Sequence, residues 1–361
     1  MAHLFTPFSL RDVTFANRIG VSPMCQYSAF DGLANDWHLV HLGGLARGGA
    51  GLVMSEAVAV SAAGRISPQD LGLWNAGQIA PLARIVDFIA GQGSVAGIQL
   101  AHAGRKASTH RPWDARRGTI AAEDGGWTTV APAAVAFSDY ATPKALSTDE
   151  ISAIIADFAA AAIRARQAGF RVVEVHAAHG YLLHQFLSPL SNRRSDDYGG
   201  GFGNRIRLTR EVVRAVRDVW PASLPLFVRL SATDWAEGGW TLDESVELSR
   251  LLKADGADLI DMSSGGLVAH AAIPVGPGYQ TAFAADVRYR AGVPVATVGM
   301  ITSPEQADHI VRSEQADMVL LARELLRQPH WPLHAAEALG QEVPWPPQYV
   351  RAAAHGTPIR T

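Results

Sequence analysis

Eight short runs of apolar, largely β-branched residues recur along this chain, with longer segments between them. That alternation limits the possible folds more than any other feature. The runs begin at Ile19 (IGVSP), Gly51 (GLVMSEA), Val95 (VAGIQLAH), Arg171 (RVVEVHAA), Leu226 (LFVRLSA), Asp258 (DLIDMSS), Val293 (VPVATVGM) and Asp317 (DMVLLAR). Continuous apolar runs suit strands covered on both faces, as the strands of parallel sheets are. Helical patterns at 151–168, 211–219 and 242–254 separate them. The first opens on Ser147-Thr148-Asp149-Glu150 and stops at Gly169, and the third stops at Gly256. Ser303-Pro304-Glu305 is a further helix start, with Ser as N-cap and Pro at the first helical position. Alternating strands and helices predict a parallel α/β fold. Eight units in one chain predict a closed (β/α)8 TIM barrel occupying residues 1–361 as a single domain.

Two segments break the rhythm. Residues 104–146 follow the third strand and carry Trp113, Trp127 and several Pro and Gly without helical periodicity. A loop that long in a compact domain is usually functional, and this one leaves the C-terminal face, where barrel enzymes keep their chemistry. It is therefore expected to cap an active site. The tail, 329–361, is rich in Trp and Pro and is expected to be an extended arm.

Charge and cysteine content remove whole classes of function. With 31 basic and 34 acidic residues spread along the chain, no basic stripe marks a nucleic-acid partner. Cys25 is the single cysteine, which rules out an internal disulfide, a cysteine zinc site and an iron–sulfur cluster. No run of 18 apolar residues is present and the start has no signal-peptide pattern, so no membrane partner is expected and a cytoplasmic location is the default.

The polar residues at strand ends are the candidates for chemistry. The fourth strand ends His176-Ala177-Ala178-His179-Gly180-Tyr181. In a regular strand His176 and His179 point to opposite faces, so they meet only if the chain turns, and Gly180 makes that turn plausible. The group then reads as a catalytic set, as packed hydrogen-bonded residues, or as a metal pair in a barrel hydrolase. The metal reading lacks the carboxylate of the usual helical HExxH arrangement. Arg229 lies in an apolar strand, where a cation needs either an interior carboxylate such as Glu174 or a group that becomes anionic during turnover. Gln99 offers a neutral donor and acceptor at a similar height. Gly299-Met300, Ser303-Pro304 and Ala322-Arg323 stand where such barrels often bind phosphate, after strands seven and eight.

Several segments together resemble the Old Yellow Enzyme family. They are Pro23-Met24-Cys25-Gln26-Tyr27-Ser28, the Gln99 to Lys106 run QLAHAGRK, His176 to Tyr181, and HQFLSP from His184. Asp197-Tyr198-Gly199-Gly200 with Asn204-Arg205, and Ala322-Arg323-Glu324, complete the set. They follow the family order over nearly the whole chain, and Cys25 with the Gln348-Tyr349-Val350-Arg351 tail places it near the thermophilic-like branch.

The resemblance implies non-covalent FMN at the C-terminal mouth, reduced by NADPH or NADH. Pro23, Met24, Cys25, Ala57, Gln99 and Arg229 would surround the flavin ring, with Arg229 facing the N1–C2=O edge. Ser264, Gly265, Gly299, Ala322 and Arg323 would hold the ribityl phosphate. It also implies ping-pong reduction of activated alkenes such as enones, maleimides or nitroalkenes. His176 and His179 would bind the activating oxygen, and Tyr181 would protonate the α-carbon. Tyr27 and Ile66 match substrate-contacting positions. Arg351 would reach the active site of a neighbouring subunit in a homodimer or homotetramer, although ten residues follow it here.

Overall fold

All eight predicted strands form, and they close on themselves. The computed structural model describes residues 3–353 and the backbone at 359–360. The barrel strands are β1 (Ile19–Val21), β2 (Leu52–Ala59), β3 (Val95–Ala101) and β4 (Val172–Ala177). They continue as β5 (Leu226–Ser231), β6 (Leu259–Ser263), β7 (Val295–Thr297) and β8 (Met318–Leu321). Each pairs in parallel with the next, and β8 pairs with β1, which gives a (β/α)8 barrel without an open edge.

The two-residue period of a strand sorts the side chains. Val173 and Val175 of β4, Val228 and Leu230 of β5 and Ile260 and Met262 of β6 join the large core shared with the surrounding helices. The alternate residues Val172, Phe227 and Leu259 belong to a second core inside the barrel, with Leu52, Met54 and Met318. Its lower end is closed by a hairpin, Phe8–Leu10 paired with Val13–Phe15, whose Phe15 is fully buried 6.4 Å from Phe227. One period above this apolar floor the inward positions turn polar, with Glu174, Arg229 and Asp261 all buried. That change of polarity marks the level at which the barrel stops being core and becomes a site.

The helices follow their sequence signals. Helix α1 is Asp36–Arg47, α2 is Ile79–Gly91 and α3 is Thr148–Gln167, the last capped by Ser147 and Glu150 in a reciprocal box. A short α4, Leu182–Leu187, follows the β4 turn. Next come α5 (Arg207–Val219), which starts earlier than its apolar pattern suggests, and α6 (Leu242–Ala254), α7 (Thr281–Ala291) and α8 (Pro304–Arg312). Ser303 caps α8 with Pro304 in its first turn, as predicted.

Two expectations need correction. The tail is not simply extended, because Trp331–Ala338 forms a helix with a proline in its first turn, where an amide hydrogen has no partner to lose. A 3-10 turn, Pro347–Ala352, follows, and residues 359–360 pair with 343–344. The path after Arg351 otherwise falls on 354–358 and 361, outside the described residues. The 104–146 segment is also more ordered than its composition suggests. It contains 3-10 turns at Gly104–Lys106 and Ala122–Asp124 and a parallel pair between Val130–Ala131 and Lys144–Ala145.

Candidate active site

The polar inward positions are set by strand register. Parallel pairing puts Gln99 beside Glu174, His176 beside Arg229 and Arg229 beside Asp261. Gln99 donates to Glu174 at 2.7 Å, and Arg229 forms its ion pair with Asp261 at 3.0 Å. Asp261, not Glu174, is therefore the carboxylate that Arg229 pairs with, because register places Asp261 directly alongside it. Arg229 is 4% exposed, and among the described residues its guanidinium makes no hydrogen bond. Burial first, and the nearby Asp261 charge second, push the Glu174 carboxyl up to about 8, against the pull of Arg229.

At the end of β4 the chain makes the turn that the histidine pair requires. His179 itself adopts a left-handed backbone, φ 58°, and Gly180 follows at φ 72°. The first conformation is uncommon for a residue with a side chain and costs on the order of 1 kcal/mol or more. Several bonds hold it. The His179 amide donates to Ser231 Oγ at 3.0 Å, its Nε2 lies 2.7 Å from Ser263 Oγ, and its carbonyl accepts from Lys106 Nζ at 2.8 Å. A Cβ at Gly180 would collide with the carbonyl oxygen of Gly266. The Gly180 amide donates to His184 Nδ1 at 2.9 Å, so a proton on that ring sits on Nε2, 2.9 Å from Asp234.

The turn gathers three rings. His176 stands 5.3 Å from His179 and 5.2 Å from Tyr181, centroid to centroid. His176 makes no hydrogen bond among the described residues, and its Nδ1 is buried without a partner. Burial, reinforced by Arg229, lowers both imidazoles well below their ordinary range, so they are neutral at pH 7. Burial likewise raises the Tyr181 phenol well above 10, so it keeps its proton.

These groups line a cavity of about 410 Å³ to which every barrel strand or its C-terminal extension contributes. Pro23, Cys25, Ala57, Gln99, Arg229, Gly299, Ala322 and Arg323 line it, as do His176, His179 and Tyr181. Met24, Ser264 and Gly265 do not. Met24 packs against the core, and Ser264 donates to Gln280 at 2.6 Å. Gly265 donates its amide to Thr233. The β6 period of two explains the difference, since Leu259, Asp261 and Ser263 face inward and Ser263 therefore lines the cavity. Tyr279, Gln280 and residues 300–302 also line it, and their loops carry no periodic signal in the sequence.

A second cavity, of about 450 Å³, opens on the other side of Tyr181. Tyr27 and Ile66 line it with Lys106, Arg111 and Tyr140 of the long loop. Tyr27 meets Trp113 edge-on at 5.8 Å. Arg351 lines neither cavity and is exposed.

The metal-hydrolase reading finds no support in this geometry. Among the described residues no group of three or more His, Cys, Asp and Glu is disposed to hold a metal ion. The charges acting on the two imidazoles include the cations of Arg229 and Lys106, an unfavourable setting for a metal dication.

The sequence pattern of the NADH:flavin oxidoreductase / NADH oxidase family matches residues 3–342. The chain belongs to this family, the Old Yellow Enzyme family. It is 48% identical over 355 residues to an NADPH dehydrogenase of Listeria monocytogenes, covering 98% of this chain and 99% of that one. Morphinone reductase in complex with tetrahydroNAD superposes with a TM-score of 0.79 at 26% identity, covering 100% of this chain and 98% of the other. The Old Yellow Enzyme homologue from Zymomonas mobilis gives a TM-score of 0.77 at 26% identity, covering 92% and 91%. The protein is thus an NAD(P)H-dependent flavin oxidoreductase with FMN as its cofactor.

The cavity suits that cofactor. Arg229 supplies a buried guanidinium whose Nε has no hydrogen-bonding partner among the described residues, and Arg323, Arg327 and residues 299–302 line the same cavity. A volume of about 410 Å³ lies within the range of cofactor sites. Among the described residues no helix is long and apolar enough to cross a membrane.

Proposed function

We propose that the enzyme reduces activated C=C bonds, taking electrons from NAD(P)H in one half-reaction and passing them to the alkene in the other. The observation that carries this reading is the convergence of His176, His179 and Tyr181 on the mouth cavity, with His176 free of any hydrogen-bond partner among the described residues. Bound FMN supplies the hydride chemistry of both half-reactions.

The chain's own residues would do the rest. Arg229 would hold the flavin edge on which negative charge develops, and Arg323 with the 299–302 backbone would take the phosphate. Cys25 lines the same cavity; burial, with the charges of Asp70 and Glu56, raises its thiol well above the usual range. It would therefore face the cofactor as a neutral S–H. Neutral His176 and His179 would donate to the carbonyl or nitro oxygen of the substrate and polarise its double bond. With the Ser263 hydroxyl as donor to His179 Nε2, 2.7 Å away, that ring's proton would stand on Nδ1. Tyr181, protonated throughout the neutral range, would give its proton to the α-carbon.

Tyr27 and Ile66 would touch the alkene, with the 104–146 loop capping it. Arg351 does not reach the cavities of its own subunit, which favours a role at a neighbouring one.

An anaerobic visible spectrum tests the reading directly. The flavin band should bleach with NADPH and return on addition of 2-cyclohexenone. A band that stays bleached would remove activated alkenes from the proposal.

A further inference from the structure

Beside Tyr181, at the C-terminal ends of β2 and β3, lies a third and much smaller cavity. Its volume is about 10 Å³, and its walls are Gly64, Ile66, four alanines (57, 59, 101 and 103) and two residues with polar side chains, Tyr181 and Asp70. That is on the order of the space one water molecule occupies, and a carboxyl and a phenol give such a water two polar partners. We propose that Asp70 and a water held in this cavity resupply the proton that Tyr181 gives to the substrate. The inference rests on the alkene-reductase reading and adds to it the route by which its acid is restored.

The surroundings suit a proton store. Asp70 is 2% exposed, and it accepts from the Ile66 amide at 2.6 Å and from the Ser67 amide and hydroxyl at 3.1 and 2.9 Å. Three donors stabilise its carboxylate once the proton has left. Burial first and the Glu56 charge second oppose them, pushing this carboxyl up to about 7, so both forms are accessible near neutrality. The other groups whose charges couple to it are Arg65 on its own turn, Cys25 and Tyr27 after β1, and Tyr181 after β4.

Without resupply, proton loss would leave a phenolate at a half-buried residue, the form that its surroundings disfavour. In the relay, the Tyr181 Oη–H bond breaks as its proton forms the new C–H bond with the electron pair on the substrate α-carbon. A water proton moves to Tyr181 Oη, and the Asp70 carboxyl proton moves to the water. Asp70 ends as a carboxylate and regains its proton from solvent before the next turnover. No electrons pass along this chain. Asp70 lines neither of the two larger cavities and is a positioning residue acting through Tyr181.

The test is stopped-flow mixing of NADPH-reduced holoenzyme with 2-cyclohexenone, in water–deuterium oxide mixtures and on both sides of pH 7. In the wild type the reoxidation rate should fall as pH rises through about 7. It should also curve with deuterium fraction, because more than one proton moves. Asp70→Asn should slow reoxidation about tenfold or more below pH 7. It should also flatten the pH limb and make the deuterium dependence linear, with FMN content and reduction by NADPH unchanged. Ala103→Val, which fills the cavity and leaves the carboxyl in place, should do the same. It decides the matter if Asp70→Asn does not fold.

A linear, pH-independent wild-type response would overturn the relay while leaving alkene reduction standing. So would full-rate, curved behaviour in either variant. Wild-type enzyme that is reduced by NADPH but is not reoxidised by the enone would overturn the alkene reading and the relay together.

Discussion

His176, His179 and Tyr181 hold their positions for different reasons, and each reason leads to its own measurement. Tyr181 is protonated because it is buried, and removing only its hydroxyl should expose its role. Tyr181→Phe is expected to slow enone reduction by about a hundredfold. FMN binding and reduction by NADPH should stay near wild type, and a flavin-free variant would argue for a structural role instead. His176 has no hydrogen-bond partner among the described residues, so His176→Ala should weaken enone or phenol binding, read as perturbation of the flavin spectrum on titration; unchanged affinity would remove it from the site. Deeper in the barrel, Glu174 gives a prediction with a definite sign. Its carboxyl rises from 4.5 to about 8, chiefly through burial and then through Asp261. The folded chain therefore binds this proton more tightly than the unfolded chain does. The stability it contributes is complete below about 4.5 and is lost as pH rises towards about 8. Asp261 is raised as well, so the titration belongs to the pair. The melting temperature of FMN-free protein should drop across this window in the wild type and drop less in Glu174→Gln. Parallel curves for the two proteins would contradict the assignment.

At the level of single elements, the decisive piece is the turn that joins β4 to α4. Gly180 faces the Gly266 carbonyl with no space for a Cβ, so Gly180→Ala should displace the turn and lower enone reduction more than it lowers thermal stability. Activity and melting curves measured on the same preparation decide this. A variant that loses stability and keeps full activity would show that the turn can move without disturbing the rings. What could be read from the sequence divides along the same line. Helix caps such as Ser147 and Ser303 declare themselves through local chemistry, and both were legible. The helical Trp331–Ala338 segment was not, because a Trp-Pro opening reads as a breaker unless the proline is known to fall in a first turn. The register shift in β2 between Met54 and Ala57 was also hidden, since a bulge adds a residue without changing composition. The resemblance names Ser264, whereas Ser263 is the neighbour that lines the cavity, a placement that follows from the inward period of β6. The roles of Lys106 and Asp70 depend on contacts between distant segments, and no spacing rule announces those.

For the molecule as a whole, closure of the barrel was legible because eight apolar runs leave few alternatives, whereas the outer surface was not. On that surface α1 links two features. Trp37 and Val40, three residues apart on one face of the helix, are 57% and 73% exposed, and Phe30 just before it is 81% exposed. At the far end of the same helix, Arg47 lies over the ring of Tyr349 at 5.1 Å and so ties down the segment that carries Arg351. Apolar side chains this exposed favour contact with another protein surface. We predict that a second copy of the chain covers α1 and is the neighbour whose active site Arg351 is proposed above to serve. Val40→Glu should therefore dissociate the assembly, seen as a smaller species in sedimentation, and should raise the KM for cyclohexenone. Arg351→Ala should raise that KM by a similar factor while the assembly stays intact, because it removes only the residue that crosses the boundary. Reduction by NADPH at saturation should be little changed in both. If Arg351→Ala behaves as wild type while Val40→Glu does not, the interface supports folding of the mouth and Arg351 has no part in it. If Val40→Glu remains assembled with unchanged KM, the α1 face is not where two copies meet.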